Sequence, residues 1–235
     1  GSPDTVRTWS VCRKLFDESI LESALQSGAD LWLSSKPISA EQDDDTVGIT
    51  ISTSTGNVDV RCSMLCGADG AHSWVRRNFR MGRPKEMMIG FQVEVTGYIG
   101  EEGRLDMYTG SEIAPGFFAW AIPSGDTTRI GAWSKADMLQ GKSPEQLLDT
   151  LMKSQLWARR FSGCREVGRF CGPVPSGLVG RPLRGRVALF GDAAGLCKPT
   201  TGGGIGPGFT HVEALAPLLL PVSYTHLTLP TILLV

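Results

Sequence analysis

Residues 185–209, GRVALFGDAAGLCKPTTGGGIGPGF, put one carboxylate, Asp192, at the end of an apolar run and follow it with five glycines between Gly202 and Gly208. A glycine inside a helix costs roughly 0.5–1 kcal/mol relative to alanine, so such a run implies close approach of something to the backbone. A buried strand ending on Asp presents its carboxylate at the carboxyl end of a sheet, where α/β folds bind ligands. Asp192 is suited to accept hydrogen bonds from sugar hydroxyls. Ala193, Ala194 and Gly195 are small enough for a flat or extended ligand to come near. Gly202, Gly203 and Gly204 are expected to offer backbone N–H groups at the start of a helix that continues through Ile205. That end carries about half a positive charge and favours an anionic ligand. Pro207 fits a helix start, where its missing N–H has no partner to lose.

Two further stretches carry chemistry. Residues 67–77, GADGAHSWVRR, read as a strand, a tight Asp69-Gly70 turn and a helix bearing two arginines; residues 115–123, PGFFAWAIP, are rich in aromatic rings. No side chain stands out as a proton donor, so no catalytic residue is assigned. Six cysteines at 12, 62, 66, 164, 171 and 197 include no Cys-x-x-Cys pair, and only three histidines could join them. A metal site is therefore not expected; reduced thiols in a cytoplasmic protein are.

The elements that must position these groups follow from pattern. Residues 17–28 place Ile20, Leu21, Ala24 and Leu25 on one helical face, with Gly28 just past the end. Strands follow in 31–39 and 47–67, with a Gly56-Asn57 turn, then a short helix over 71–79. From Met81 short aromatic-rich segments separated by turn residues suggest an antiparallel sheet. Ser143, Pro144 and Gln146 supply an N-cap, an N1 proline and a capping box. Strand, loop and strand return after Arg165, then a final helix over 204–220. The order α/β, β-rich insert, α/β predicts a Rossmann-like domain interrupted by a substrate domain. The expected boundaries are 1–80 and 165–221 for the first and 81–164 for the insert.

Composition excludes several classes. The 235 residues are 41% apolar and 20% charged with net charge −1, so nothing suggests a nucleic-acid partner. Neither a signal peptide nor an apolar run of the ~20 residues that a membrane helix needs is present.

With Asp69-Gly70 and Gly191-Asp192 as DG and GD motifs, the chain resembles the FAD-binding enzymes of the aromatic-hydroxylase class. Arg13, Phe16-Asp17 and Leu21 match the helix start that lies along the FAD in that class. KPTTGGGI (198–205) and residues 115–123 narrow the resemblance to the geranylgeranyl reductase family. In its insert motif Pro115, Trp120 and Pro123 match, while Phe118 stands in place of Tyr and Ile122 in place of Phe. The resemblance implies FAD held by Arg13, Asp69, Gly70, Gly191, Asp192, Ala193, Gly202, Gly203, Gly204 and Ile205. It also implies saturation of isoprenoid double bonds by reduced flavin, in an apolar site formed by Pro115, Phe118, Trp120, Ile122 and Pro123. NAD(P)H or another electron donor and peripheral contact with a membrane are further expectations. The loss of the Tyr hydroxyl puts the family's polyprenyl substrate in question more than its reaction class. FAWAIP also approaches the W-x-W-x-I-P motif of flavin-dependent halogenases, which leaves a halogenase or monooxygenase as one alternative and a non-catalytic fragment or binding module as another. No G-x-G-x-x-G unit precedes Val11, and residues 222–231, VSYTHLTLPT, resemble a translated sequencing adaptor. The chain is therefore expected to be an inactive internal fragment with a non-native tail over 222–235 that has no docking surface.

Overall fold

The computed structural model describes residues 11–224 and 231–234. Helix α1 (Arg13–Gln26) starts four residues earlier than expected and buries none of its side chains; Ile20 and Leu25, expected on one apolar face, are both at least 40% exposed. Gly28 follows its C-cap Ser27 in the left-handed region (φ +92°), as expected of a C′ residue.

Strand β1 (Ala29–Trp32) leads to the antiparallel sheet β2 (Lys36–Gln42), β3 (Val47–Thr53) and β4 (Gly56–Cys62). Thr53 pairs with Gly56, so the β3–β4 turn is Ser54-Thr55, two residues before the expected Gly56-Asn57. Thr53 Oγ1 fixes it by donating to the Gly56 carbonyl (2.7 Å) and accepting from the Thr55 N–H (3.2 Å). β5 (Leu65–Gly67) precedes α2 (Trp74–Asn78).

The insert is a five-stranded antiparallel sheet. β6 (Glu86–Thr96), β7 (Asp106–Tyr108), β8 (Ala119–Ser124), β9 (Thr127–Lys135) and β10 (Arg165–Ser176) lie in the order β10-β6-β9-β8-β7. Helices α3 (Pro144–Met152) and α4 (Ala158–Phe161) fall between β9 and β10. Ser143 and Gln146 form the expected capping box on α3, with Pro144 in its first turn. β10 pairs along β6 from Arg165 to Ser176, so the sheet continues past the boundary expected at residue 164. Alternation gives the sheet two faces. Phe91, Val93, Val95, Ile130 and Ala132 point into a core closed by Leu148, Leu151 and Phe161. Gly90, Gln92, Trp120, Gly131 and Trp133 occupy the other face.

The chain then forms β11 (Leu183–Arg184) and the fully buried β12 (Val187–Leu189). β12 runs parallel to β5, pairing Leu189 with Gly67. A 3-10 turn over Gly191–Ala194 precedes α5 (Ile205–Tyr224). A second core joins Val47, Ile49 and Ile51 of β3 to Val75, Phe79, Val187, Leu189, Ala193 and Ala194. β13 (Thr231–Leu234) pairs in parallel with β1, which corrects the expectation that the tail finds no docking surface; residues 225–230 and 235 of that tail lie outside the described residues. Among the described residues no helix is long and apolar enough to cross a membrane.

Candidate functional site

The parallel strands β5 and β12 both end in a turn containing Asp and Gly. After β5, Gly70 takes φ +75° and Asp69 Oδ2 accepts the N–H groups of Trp74 (2.6 Å) and Val75 (3.0 Å). Ser73 Oγ accepts the Arg76 N–H at 2.9 Å. These caps satisfy the first N–H groups of α2. They also explain why the helix begins at Trp74 rather than at Ala71. Asp69, expected at the cofactor, has at least one oxygen committed to holding this helix.

Arg76 is 6% exposed and lies between the two turns. Its Nη1 donates to the Ala193 carbonyl (2.8 Å) and its Nη2 to the Ala71 carbonyl (2.6 Å). Burial pulls its pKa down, and the Asp69 charge opposes that pull. The sequence shows two arginines on a short helix but carries no signal for which one turns inward.

After β12, Gly191 (φ +53°) and Gly195 (φ +78°) bracket the 3-10 turn. Ala193 and Ala194 are fully buried in the second core, and a Cβ on Gly195 would stand 2.6 Å from the Gly177 carbonyl oxygen. Their small size serves packing; this corrects the expectation that they admit a ligand. Asp192 is half-buried, and its Oδ1 accepts from Cys197 Sγ at 3.2 Å. Burial, with the neighbouring carboxylate, pushes the Cys197 thiol up to about 12. A Cβ on Gly204 would meet Asp192 Oδ1 at 3.0 Å, so the carboxylate lies against the start of α5.

The glycine run divides into two parts. The Gly202 N–H donates to the Lys198 carbonyl (2.8 Å) and that of Gly203 to Thr201 Oγ1 (3.4 Å). Neither is free, contrary to the sequence expectation. A Cβ on Gly202 would fall 1.5 Å from Trp133 Cζ3, so this glycine exists to seat an indole. The first backbone bond of α5 is Gly208 N–H to the Gly204 carbonyl. The N–H groups of Gly204, Ile205 and Gly206 are left at the helix start, and Pro207 has none. A Cβ on Gly206 or Gly208 would meet nothing within 4 Å, and one on Gly203 only Thr201 Oγ1 at 3.4 Å. Chain packing does not require these three to be glycine. A bare helix start beside one carboxylate fits an extended ligand with anionic and hydroxyl groups.

Trp133, for which the sequence suggests no role, connects this run to the insert. It lines a cleft of about 290 Å³ together with Gly90, Gln92, Trp120, Phe170 and Gly172. The Gly131 backbone likewise seats Trp120, since a Cβ there would fall 2.3 Å from its Cζ2. Phe118 joins the cluster, 6.1 Å from Trp120 and 6.2 Å from Trp133 between ring centroids. Of the other expected substrate residues, Pro115 precedes the strand in a turn, Ile122 lies one row further along the cleft face, and Pro123 is exposed near the β8–β9 hairpin; none of the three lines the cleft. Arg13 is exposed and donates to Asp17 through Nε and Nη2, both at 3.1 Å. Phe16 meets Phe209 of α5 at 6.2 Å, which sets α1 beside the helix that the glycine run begins.

A family model described as an FAD binding domain matches residues 5–110. The digeranylgeranylglycerophospholipid reductase of Methanoculleus marisnigri is 30% identical over 204 residues, covering 83% of this chain and 49% of the relative. The protein of the same name from Methanocaldococcus jannaschii is 25% identical over 207 residues, covering 86% and 52%. The chain thus spans about half the length of the curated relatives it matches. A geranylgeranyl bacteriochlorophyll reductase-like structure from Thermoplasma acidophilum superposes with TM-score 0.78 at 23% identity, covering 89% of this chain and 54% of that one. A flavin-dependent brominase gives 0.74 at 20%, covering 91% and 57%. These two likenesses show the fold. The domain match and the curated relatives agree on an FAD-binding fold: residues 5–110 match the FAD binding domain, and most of the chain is similar to the digeranylgeranylglycerophospholipid reductases.

Proposed function

We propose that this chain carries the flavin-facing and substrate-facing surfaces of a reductase that saturates C=C bonds of an apolar, isoprenoid-like chain. The observation that carries this reading is the contact of Trp133 with Gly202. It joins the wall of an aromatic cleft to the glycine run, so a substrate in the cleft lies next to the cofactor's site. The relatives named for reduction of a geranylgeranyl lipid support the substrate class.

FAD, when bound and reduced, supplies the two electrons. This chain's residues bind and orient. The free N–H groups at Gly204, Ile205 and Gly206 stabilise negative charge at the helix start. Asp192 accepts hydrogen bonds from the cofactor's hydroxyls, and Cys197 holds the orientation of its carboxylate. Arg76 fixes the turn that carries Asp192 by holding the Ala193 carbonyl. Gly191 and Gly203 let the cofactor approach the backbone, while Arg13 and Gly70 border the site. Trp120 and Trp133 wall the cleft, with Phe118 packed against both, and exclude water. The unit that holds the cofactor comprises 1–80 and 165–221, and 81–164 is the substrate unit, whose sheet borrows β10.

The test is to reduce the full-length flavoprotein anaerobically and incubate it with geranylgeranyl lipids and with small aromatics. Lipid products two mass units heavier are expected. Hydroxylated or halogenated aromatics under oxygen, with no saturated lipid, would replace this reading with that of a monooxygenase or halogenase.

A further inference from the structure

The cleft face carries two indoles whose N–H groups are in different states. Trp120 Nε1 donates to Gln92 Oε1 at 3.2 Å. An indole N–H can only donate, so this bond turns the amide oxygen of Gln92 toward Trp120 and leaves its NH2 group facing away. Trp133 Nε1 lies over bare backbone: a Cβ on Gly90 would come within 2.3 Å of it. Among the described residues neither Trp133 Nε1 nor Gln92 Nε2 meets a hydrogen-bond acceptor.

Both groups line one cleft, and the register makes them diagonal neighbours. Gln92 pairs with Gly131, and Trp133 with Gly90, on the adjacent strands β6 and β9. Diagonal positions on one face are about 7–8 Å apart, a separation that one oxygen can bridge when both side chains lean inward. Gly90 and Gly131 seat the Trp133 and Trp120 indoles, Gly172 leaves open floor beside them, and Phe170, Pro173 and Val174 add an apolar wall. The next row holds Glu94 and Arg129; Glu94 Oε1 accepts from Thr127 Oγ1 at 2.6 Å, along the strand rather than toward the cleft. A hydrocarbon laid over this floor would cover two N–H donors and pair neither, which is unfavourable. A chain bearing an acceptor oxygen would satisfy both.

We infer that Gln92 and Trp133 hold an acceptor oxygen of the substrate, of carbonyl, ester or ether type, and thereby select oxygenated chains over hydrocarbons. The inference rests on the apolar-chain reading of the cleft. It adds a register to that reading, because a fixed oxygen decides which double bond of the chain lies next to Gly202.

Calorimetry on the full-length FAD-loaded protein, with geranylgeranyl methyl ether and the C20 hydrocarbon of the same unsaturation, tests it. The wild type is expected to prefer the ether at least tenfold. Gln92→Glu keeps an acceptor for Trp120 while removing the donor, and Trp133→Phe keeps a ring over Gly90. Each should reduce the preference, the ratio of the two affinities, about tenfold; apolar contact that Trp133→Phe removes from the cleft wall affects both probes alike and cancels in that ratio. Equal wild-type affinity for the two probes, or variants that keep the preference or weaken both probes alike, would overturn the inference and leave the apolar-chain reading standing. A wild type that binds neither probe would overturn that reading, and the inference with it.

Discussion

The turns Asp69-Gly70 and Gly191-Asp192 end neighbouring parallel strands and contain the same two residue types, yet their carboxylates do opposite work. Asp69 is exposed and turns back onto its own chain, capping α2 through the Trp74 and Val75 N–H groups. Asp192 faces the start of α5, and among the described residues its side chain takes only the Cys197 thiol. The difference comes from the segment after each turn and from how the turn is closed. α2 has five residues, too few to hold its own N-terminus without side-chain caps. The turn at Asp192 closes on its own backbone, through Gly195 N–H to the Asp192 carbonyl and Leu196 N–H to that of Gly191, both within 3.1 Å. A turn closed by its backbone leaves its carboxylate uncommitted to the local chain; a turn that must start a short helix does not.

Arg76 ties the two turns together, so removing it should have the largest effect. Arg76→Met leaves the Ala193 and Ala71 carbonyls unpaired in a buried place. It should cost about 2–4 kcal/mol of stability, read from urea unfolding. A loss under about 1 kcal/mol would mean that the turns hold their places without it. Gly206→Ala should act with opposite signs in two assays. Alanine on an open helical position should stabilise the apoprotein by about 0.5 kcal/mol, while under the proposed cofactor placement its methyl group should weaken FAD binding. Unchanged FAD affinity would remove the helix start from the site.

The smallest effect concerns pH. The Cys197 thiol has its pKa raised from 9.0 to about 12 in the folded chain, chiefly by burial and then by its bond to Asp192. A raised pKa means stability that is complete below pH 9 and declines as pH rises through about 12. Thermal melts across that window should show a decline in the wild type that Cys197→Ser lacks. Parallel declines would place its cause elsewhere.

Much of this division is legible in the sequence. The DG and GD pairs, the glycine run, the capping box at Ser143 and the antiparallel insert follow from local patterns of turn residues and period. The roles that escape such patterns are those set by long-range contact. Gly202 is glycine because of Trp133, and Ala193 and Ala194 are small because a core closes over them. Arg76 is buried because two carbonyls far apart in sequence converge on it. The two-residue offset of the β3–β4 turn reflects the ordinary imprecision of element ends. The insert's sheet spans the expected domain boundary because the pairing of β10 with β6, which joins Arg165 to Thr96 and Ser176 to Glu86, leaves no mark on local pattern.

The measurement that bears most directly on the account is an FAD titration of the full-length protein carrying Asp192→Ala, beside Asp69→Ala as its counterpart. Loss of hydrogen bonds from Asp192 should weaken FAD about ten- to a hundredfold, equivalent to about 1.5–3 kcal/mol, with the melting temperature of the apoprotein nearly unchanged. Asp69→Ala should show the reverse: about 1–2 kcal/mol of stability lost with the helix cap, and FAD affinity in the folded protein close to that of the wild type. An Asp192→Ala protein that retains FAD as tightly as the wild type would contradict the assignment of this turn, and of the helix start beside it, to the cofactor.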